Sequence, residues 1–223
     1  MKRQAGFTLV EIAIVLVVIG LLLGGVLKGQ ELILNSQVRN VVNEFNNVAA
    51  AKYTYQDRYR QIPGDDNTAD ARWSSADGTT HVVVDGDGSS AIEGAWNATA
   101  PVAGTTEAGI FWHHLRNDGL VYGPRHGSPS NGPTYQLPRN AFDGLIGVQE
   151  TAFTGTLPGP VICQSGIPGK AAVIIDTRVD DDPGNGSASD TGILQGVAGE
   201  DPSVAAAADY TVDDTAFIIC REM

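Results

Sequence analysis

The sequence predicts an α+β protein: a long N-terminal helix, membrane-spanning in its first half and amphipathic in its second, packed on a C-terminal head with an antiparallel β-sheet. Three observations carry this. An apolar run occupies residues 7–27, and apolar side chains then recur at three- and four-residue steps as far as Tyr59. The remainder is rich in turn formers, in a chain with 27 glycines and 11 prolines, and short β-branched runs lie between the turns.

The apolar run reads FTLVEIAIVLVVIGLLLGGVL and holds Glu11 as its single ionisable group. As a helix rising about 1.5 Å per residue it spans roughly 31 Å, the thickness of a bilayer's hydrocarbon core. Lys2 and Arg3 precede it and Lys28 closes it, so the positive-inside rule places the N-terminus in the cytoplasm and the remainder across the membrane. A conventional secretory signal fits less well: its apolar core is about 7–15 residues and ends at a small-residue cleavage site. No such site lies between Leu27 and Gln30. On periodicity alone a plain uncleaved anchor stays open. Glu11 argues for more, because a carboxylate at mid-bilayer costs on the order of 3 kcal/mol. A cut after Gly6 would give Phe7 a free α-amine four residues from that carboxylate, which would also suit the new helix N-terminus.

Beyond Leu27 the stripe Val38, Val41/Val42, Phe45, Val48/Ala49, Tyr55 and Tyr59 continues the helix, with Lys52 as its exception. A helix from Phe7 to Tyr59 would be about 80 Å long. Gln61-Ile62-Pro63-Gly64-Asp65 ends it, since proline disfavours helix at the residue before it. Gly24, Gly25 and Gly29 mark a possible joint between a membrane helix and a separate core helix.

Charge separates the two regions. Residues 1–60 carry seven basic and four acidic groups, net +3, and the other 163 residues carry seven basic and 22 acidic groups, net −15. Such acidity argues against a role in binding nucleic acid through its phosphates. In the head, Thr80–Asp85, Ala171–Val179 and Thr215–Cys220 read as strands, and Glu107–Asn117 as a short helix stopped by Gly119.

MKRQAG followed by FTLVEIAIVLVVIGLLLG resembles the N-terminus of type IV pilins and type II secretion pseudopilins. The resemblance implies a leader at 1–6, a transmembrane and assembly helix at 7–27, an amphipathic continuation at 28–60 and an acidic periplasmic or extracellular head at 61–223. It implies cleavage by a prepilin peptidase between Gly6 and Phe7, N-methylation of Phe7, and Glu11 as the carboxylate that pairs with a neighbouring subunit's amine. The implied partners are other pilin-like subunits in a helical filament, an inner-membrane assembly platform and the bilayer. The implied location is the bacterial inner membrane. Tyr55–Asp66, Gly109–Gly123 and Pro168–Gly186 also look like recurrent blocks of a pilin-like subfamily. Cys163 and Cys220 fall in the translocated part, where oxidation is permitted. The resemblance favours a bridge between them over two buried thiols, closing a loop of about 58 residues.

For other chemistry, Asp85-Gly86-Asp87-Gly88-Ser89 resembles part of an EF-hand calcium loop, although Trp96 stands where the bidentate carboxylate belongs and Ser90 where the glycine does. A solvated acidic turn is the alternative. Asp180-Asp181-Asp182, with Asn185 and Asp190, offers hard oxygens on a glycine-rich loop, and calcium sites do occur among pseudopilins. Of His81, His113, His114 and His126, the adjacent pair makes a poor metal site, with one ring expected to pack and the other to be solvated. Trp73, Trp96 and Trp112 are expected in the core or at subunit contacts. No G-x-S-x-G, H-E-x-x-H, P-loop or C-x-x-C motif occurs, so no catalytic residue and no cofactor other than calcium is expected. The functional expectation is a structural subunit of a type IV pilus or secretion pseudopilus. Its alternative is a monomeric single-pass envelope protein whose exported domain binds calcium or another ligand.

Overall fold

The structure, a computed structural model, describes residues 9–74, 83–98, 106–125, 136–180, 192–199, 202, 207, 210–211 and 215–223. Its elements are α1 (Leu9–Tyr59), α2 (Ala69–Trp73), α3 (Glu107–Asn117), β1 (Ile146–Gln149), a 3-10 turn (Phe153–Gly155), β2 (Val161–Pro168), α4 (Gly169–Val179), β3 (Leu194–Ala198) and β4 (Ala216–Glu222). The chain divides into two compact units, one ending at Gln37 and the other starting at Val38.

Helix α1 is unbroken through Gly24, Gly25 and Gly29, so those glycines make no joint. In the second unit it buries Val38, Val41, Phe45, Val48, Ala51, Lys52 and Tyr55, one face at helical spacing. That face rests on the sheet. Gln164 Nε2 in β2 donates to the Val41 carbonyl at 3.3 Å, and Arg221 Nη1 in β4 donates to Asn46 Oδ1 at 2.8 Å. Lys52 joins the buried stripe: burial lowers its pKa, opposed by the charges of Glu150 and Glu222. The helix ends with Arg60 in the left-handed region at φ 57°, followed by Pro63 and Gly64. Arg58 pairs with Asp118 at 2.8 Å and Tyr59 Oη donates to the same carboxylate at 2.7 Å, tying this end to the C-cap of α3.

The four strands lie in the order β1-β2-β4-β3, every pair antiparallel. Successive residues of β2 serve opposite faces: Gln164 meets α1, while Val161 and Cys163 join a cluster with Trp96, Phe153, Leu157, Val197 and Ile218. Cys163 lies opposite Cys220 in the register, and the two are bridged. A bulge between Gln164 and Ile167 places Gly166 at φ 71°.

Two expected strands are corrected. Residues 171–179 belong to helix α4, which packs on β2, β3 and β4 through Ala171, Ala172 and Ile175. The β-branched run Val173-Ile174-Ile175 mimicked a strand, but burial follows the helical spacing, and short apolar runs do not decide between the two states. Val83, Val84 and Asp85, the described part of the 80–85 candidate, pair with no strand. The chain there bonds instead to the turn after α1, with Gly86 N on the Asp66 carbonyl at 2.9 Å and Gly88 N on the Asp65 carbonyl at 3.1 Å. Helix α3 and strand β4 fall where the sequence puts them, and Gly119 sits at φ 79° as the stop of α3.

Because the bridge closes a long loop, replacing both Cys163 and Cys220 by alanine in the full chain should lower the unfolding free energy by about 2–4 kcal/mol. Urea denaturation in detergent measures this, and an unchanged midpoint with an unchanged slope would contradict it.

Candidate functional site

Two places concentrate candidate functional groups. In the first unit, every residue from Leu9 to Lys28 is exposed, including Leu9 at 92% and Leu21 at 74%. A helix apolar on all sides suits lipid or a packed bundle of helices. Gly20, Gly24, Gly25 and Gly29 have nothing within 4 Å of where a Cβ would stand, so no contact inside the chain calls for glycine there. Glu11 lies in the first turn of α1, and Lys28 closes the segment in an i,i+3 pair with Glu31 at 2.7 Å.

The second place is a nest of carboxylates in the head. Pro63 and Gly64, at φ 97°, turn the chain after α1 and deliver Asp65. Gly86 lies so close to this turn that a Cβ would stand 2.3 Å from the Gly64 carbonyl oxygen, which brings in Asp87. Glu107 opens α3 and is fully buried. Asp65, Asp87 and Glu107 each place an oxygen within 4.8 Å of the other two. Backbone amides hold the group: Asp87 N donates to Glu107 Oε1 at 2.9 Å, Ser90 N to Asp65 Oδ2 at 2.9 Å, and Ser89 N to Asp87 Oδ1 at 2.8 Å. Glu93 stands beside Glu107, its amide 3.3 Å from Glu107 Oε2. Burial, reinforced by Glu93, pushes the Glu107 carboxyl up to about 8. Burial also raises Asp65, although the amides of residues 88–90 pull the other way. The Ser89 amide and hydroxyl hold the exposed Asp87 below the usual carboxylate range.

Of the acidic residues singled out from the sequence, only Asp87 enters this nest. Asp85 Oδ1 accepts from Asp70 N at 2.6 Å, at the start of α2. Asp180 accepts from the amides of Ile193 and Leu194, both at 3.0 Å, and so anchors the start of β3. Asp182, Gly6, Phe7, His81 and His126 lie outside the described residues. His113 and His114 are both buried, which corrects the expectation that one is solvated. Trp96 and Trp112 are in the core, and Trp73 meets Tyr59 edge-on at 5.5 Å. Asp65, Glu93 and Glu107 were missed as a group, because 42 residues separate Asp65 from Glu107 and nothing local links them.

Residues 1–27 match the prokaryotic N-terminal methylation motif, the prepilin signal of type IV pilins and pseudopilins. No curated protein and no solved structure matches the chain. The motif supports a type IV pilin-like precursor, and it implies processing by a peptidase and assembly with other pilin subunits.

His114 clamps the two loops that carry Asp65 and Asp87. Gly64 N donates to its Nδ1 at 3.0 Å, so Nε2 carries the proton and donates to the Val84 carbonyl at 2.9 Å. Burial depresses its pKa to about 4. A histidine depressed in the folded state contributes stability above its unfolded pKa of about 6.5, and that contribution is lost as pH falls through about 4. The head should therefore lose about 3 kcal/mol over that window through this group. Urea denaturation of the full chain against His114→Gln, which keeps one acceptor and one donor, isolates the effect from the nearby carboxylates. The variant should show a correspondingly shallower acid slope, and parallel pH profiles would refute the assignment.

Proposed function

We propose that the chain is a pilin-like structural subunit, made as a prepilin, cleaved after Gly6, methylated at Phe7 and assembled into a type IV pilus or a type II secretion pseudopilus. The observation that carries this reading is the methylation motif at residues 1–27 overlapping a helix that is exposed at every described position up to Leu27 and apolar there except at Glu11. Before assembly the apolar segment spans the bacterial inner membrane with its N-terminus in the cytoplasm. After cleavage it leaves the bilayer for a core of similar helices, and the acidic head faces the periplasm or the outside. The size of the head suits a minor pilin or a pseudopilin.

Glu11 supplies the specificity of this step. Apolar helices gain little from one another in lipid, because the tails are as apolar as leucine. A carboxylate in that setting gains from a positive partner, and the new amine of Phe7 on a neighbouring subunit provides one. The pairing sets the axial register of the stack. The working surface is the helix and the role is assembly; no catalytic group enters the reading.

Mass spectrometry of the mature protein should find an N-methylated Phe7 start, and an intact Met1 start would count against processing. Glu11→Ala should leave membrane insertion intact or improved by up to about 3 kcal/mol on insertion scales, while abolishing incorporation into filaments. Normal filament yield from that variant would overturn the pairing.

A further inference from the structure

The nest of carboxylates carries chemistry that assembly through α1 does not use. Its members arrive from three separated stretches: Asp65 from the turn after α1, Asp87 from the Gly86–Ser90 loop, and Glu107 from the first turn of α3. Asp65 is 2% exposed and Glu107 fully buried. Oδ2 of Asp65 is held by the Ser90 amide, whereas Oδ1 is buried and accepts no hydrogen bond among the described residues. Oε2 of Glu93, next to Glu107, is in the same state. Among the described residues, no lysine, arginine or histidine forms an ion pair with Asp65, Asp87, Glu93 or Glu107. Buried carboxylates gathered without a cationic side chain meet their charge by protonation or by a metal ion.

We propose that Asp65, Asp87 and Glu107, with Glu93 beside them, form a binding site for a hard divalent cation, calcium in particular. The donors are all oxygen, which excludes a preference for zinc or copper. Calcium takes 6–8 oxygens at about 2.3–2.6 Å, so opposite ligands stand about 4.6–5.2 Å apart and oxygens spread over up to 4.8 Å share one shell. Magnesium keeps most of its waters and is held by one or two carboxylates, which suits three convergent carboxylates less well. Asp87 is exposed and gives the ion its way in. The cation ties the turn after α1 to the Gly86–Ser90 loop and to α3. The site is separate from the Asp180 loop, where both carboxylate oxygens are engaged by the amides of Ile193 and Leu194.

The test uses the full chain in detergent, stripped with EDTA and titrated calorimetrically with calcium chloride and, separately, magnesium chloride. Calcium should bind at a single site with a dissociation constant of about 0.1–1 mM, as in extracellular modules, and more tightly than magnesium. It should also raise the melting temperature of the head. Asp87→Asn, at an exposed position that folding does not need buried, should weaken binding by about tenfold or more, and Glu107→Gln should do the same if it folds. Asp180→Asn should leave the affinity unchanged. No heat and no thermal shift at calcium of about 10 mM, well above the range of such modules, would overturn the proposal. So would an Asp87→Asn protein that binds like the parent, or binding lost in Asp180→Asn instead.

Discussion

The buried carboxylate of Asp66 is the contact on which the first half of the head depends. It is inaccessible to solvent and gathers Tyr55 Oη at 2.6 Å, the Thr68 amide and hydroxyl at 2.9 and 2.8 Å, and the Arg72 guanidinium. Burial alone would raise its pKa, yet these hydrogen bonds and the Arg72 charge hold it below the usual carboxylate range. Arg72 is placed in turn by the faces of Tyr59 and Trp73, at 4.4 and 4.8 Å. Breaking a buried pair of this kind by removing one member costs about 3–5 kcal/mol. Asp66 thus binds the last turns of α1 to the segment that follows, and its neighbours inherit their positions. Gly64 reaches His114, Asp65 reaches the 88–90 amides, and the 83–88 segment is carried alongside.

That arrangement gives two meanings to the head's net charge of −15. Asp66 is acidic and paired, so its charge stabilises one geometry. Asp65 and Glu107 are acidic and gathered, and burial raises the pKa of both, a latent cost of the same geometry. The two kinds sit next to each other in sequence, Asp65 beside Asp66, and only their partners separate them. A tally of charges along the chain cannot tell them apart, because the Arg72 guanidinium, six residues after Asp66, serves one and no cationic side chain among the described residues serves the other.

What was legible in the sequence follows from how local each signal is. Helix α1 was legible from its apolar run and its 3–4 spacing, and α3 from Glu107, its apolar face and Gly119. Strand β4 was legible as the run Phe217-Ile218-Ile219. The Cys163–Cys220 bridge was reached through the family resemblance, and the antiparallel register of β2 and β4 places the two residues opposite each other. Helix α4 was misread because its β-branched centre fits a strand, and packing on three strands decided for a helix. His113 and His114 were misjudged because adjacent residues of a helix point to different faces, and α3 is covered on nearly all of them. The nest was invisible because no one stretch holds more than one of Asp65, Asp87 and Glu107.

The same contrast explains why the N-terminal methylation motif and its apolar helix are the clearest part of the chain. In lipid a backbone must satisfy its polar groups within its own helix, and there is no water to solvate an alternative. Twenty or so apolar residues therefore dictate their conformation without help from distant contacts. A carboxylate within them is costly, so Glu11 stands out from its position alone. The head lives under the opposite rule: water accepts any exposed polar group, and the fold is chosen by which residues meet far along the chain. Its gathered carboxylates accordingly arise by convergence, at a turn stabilised by Asp66, and become readable only when α1, the 83–90 segment and α3 are seen together.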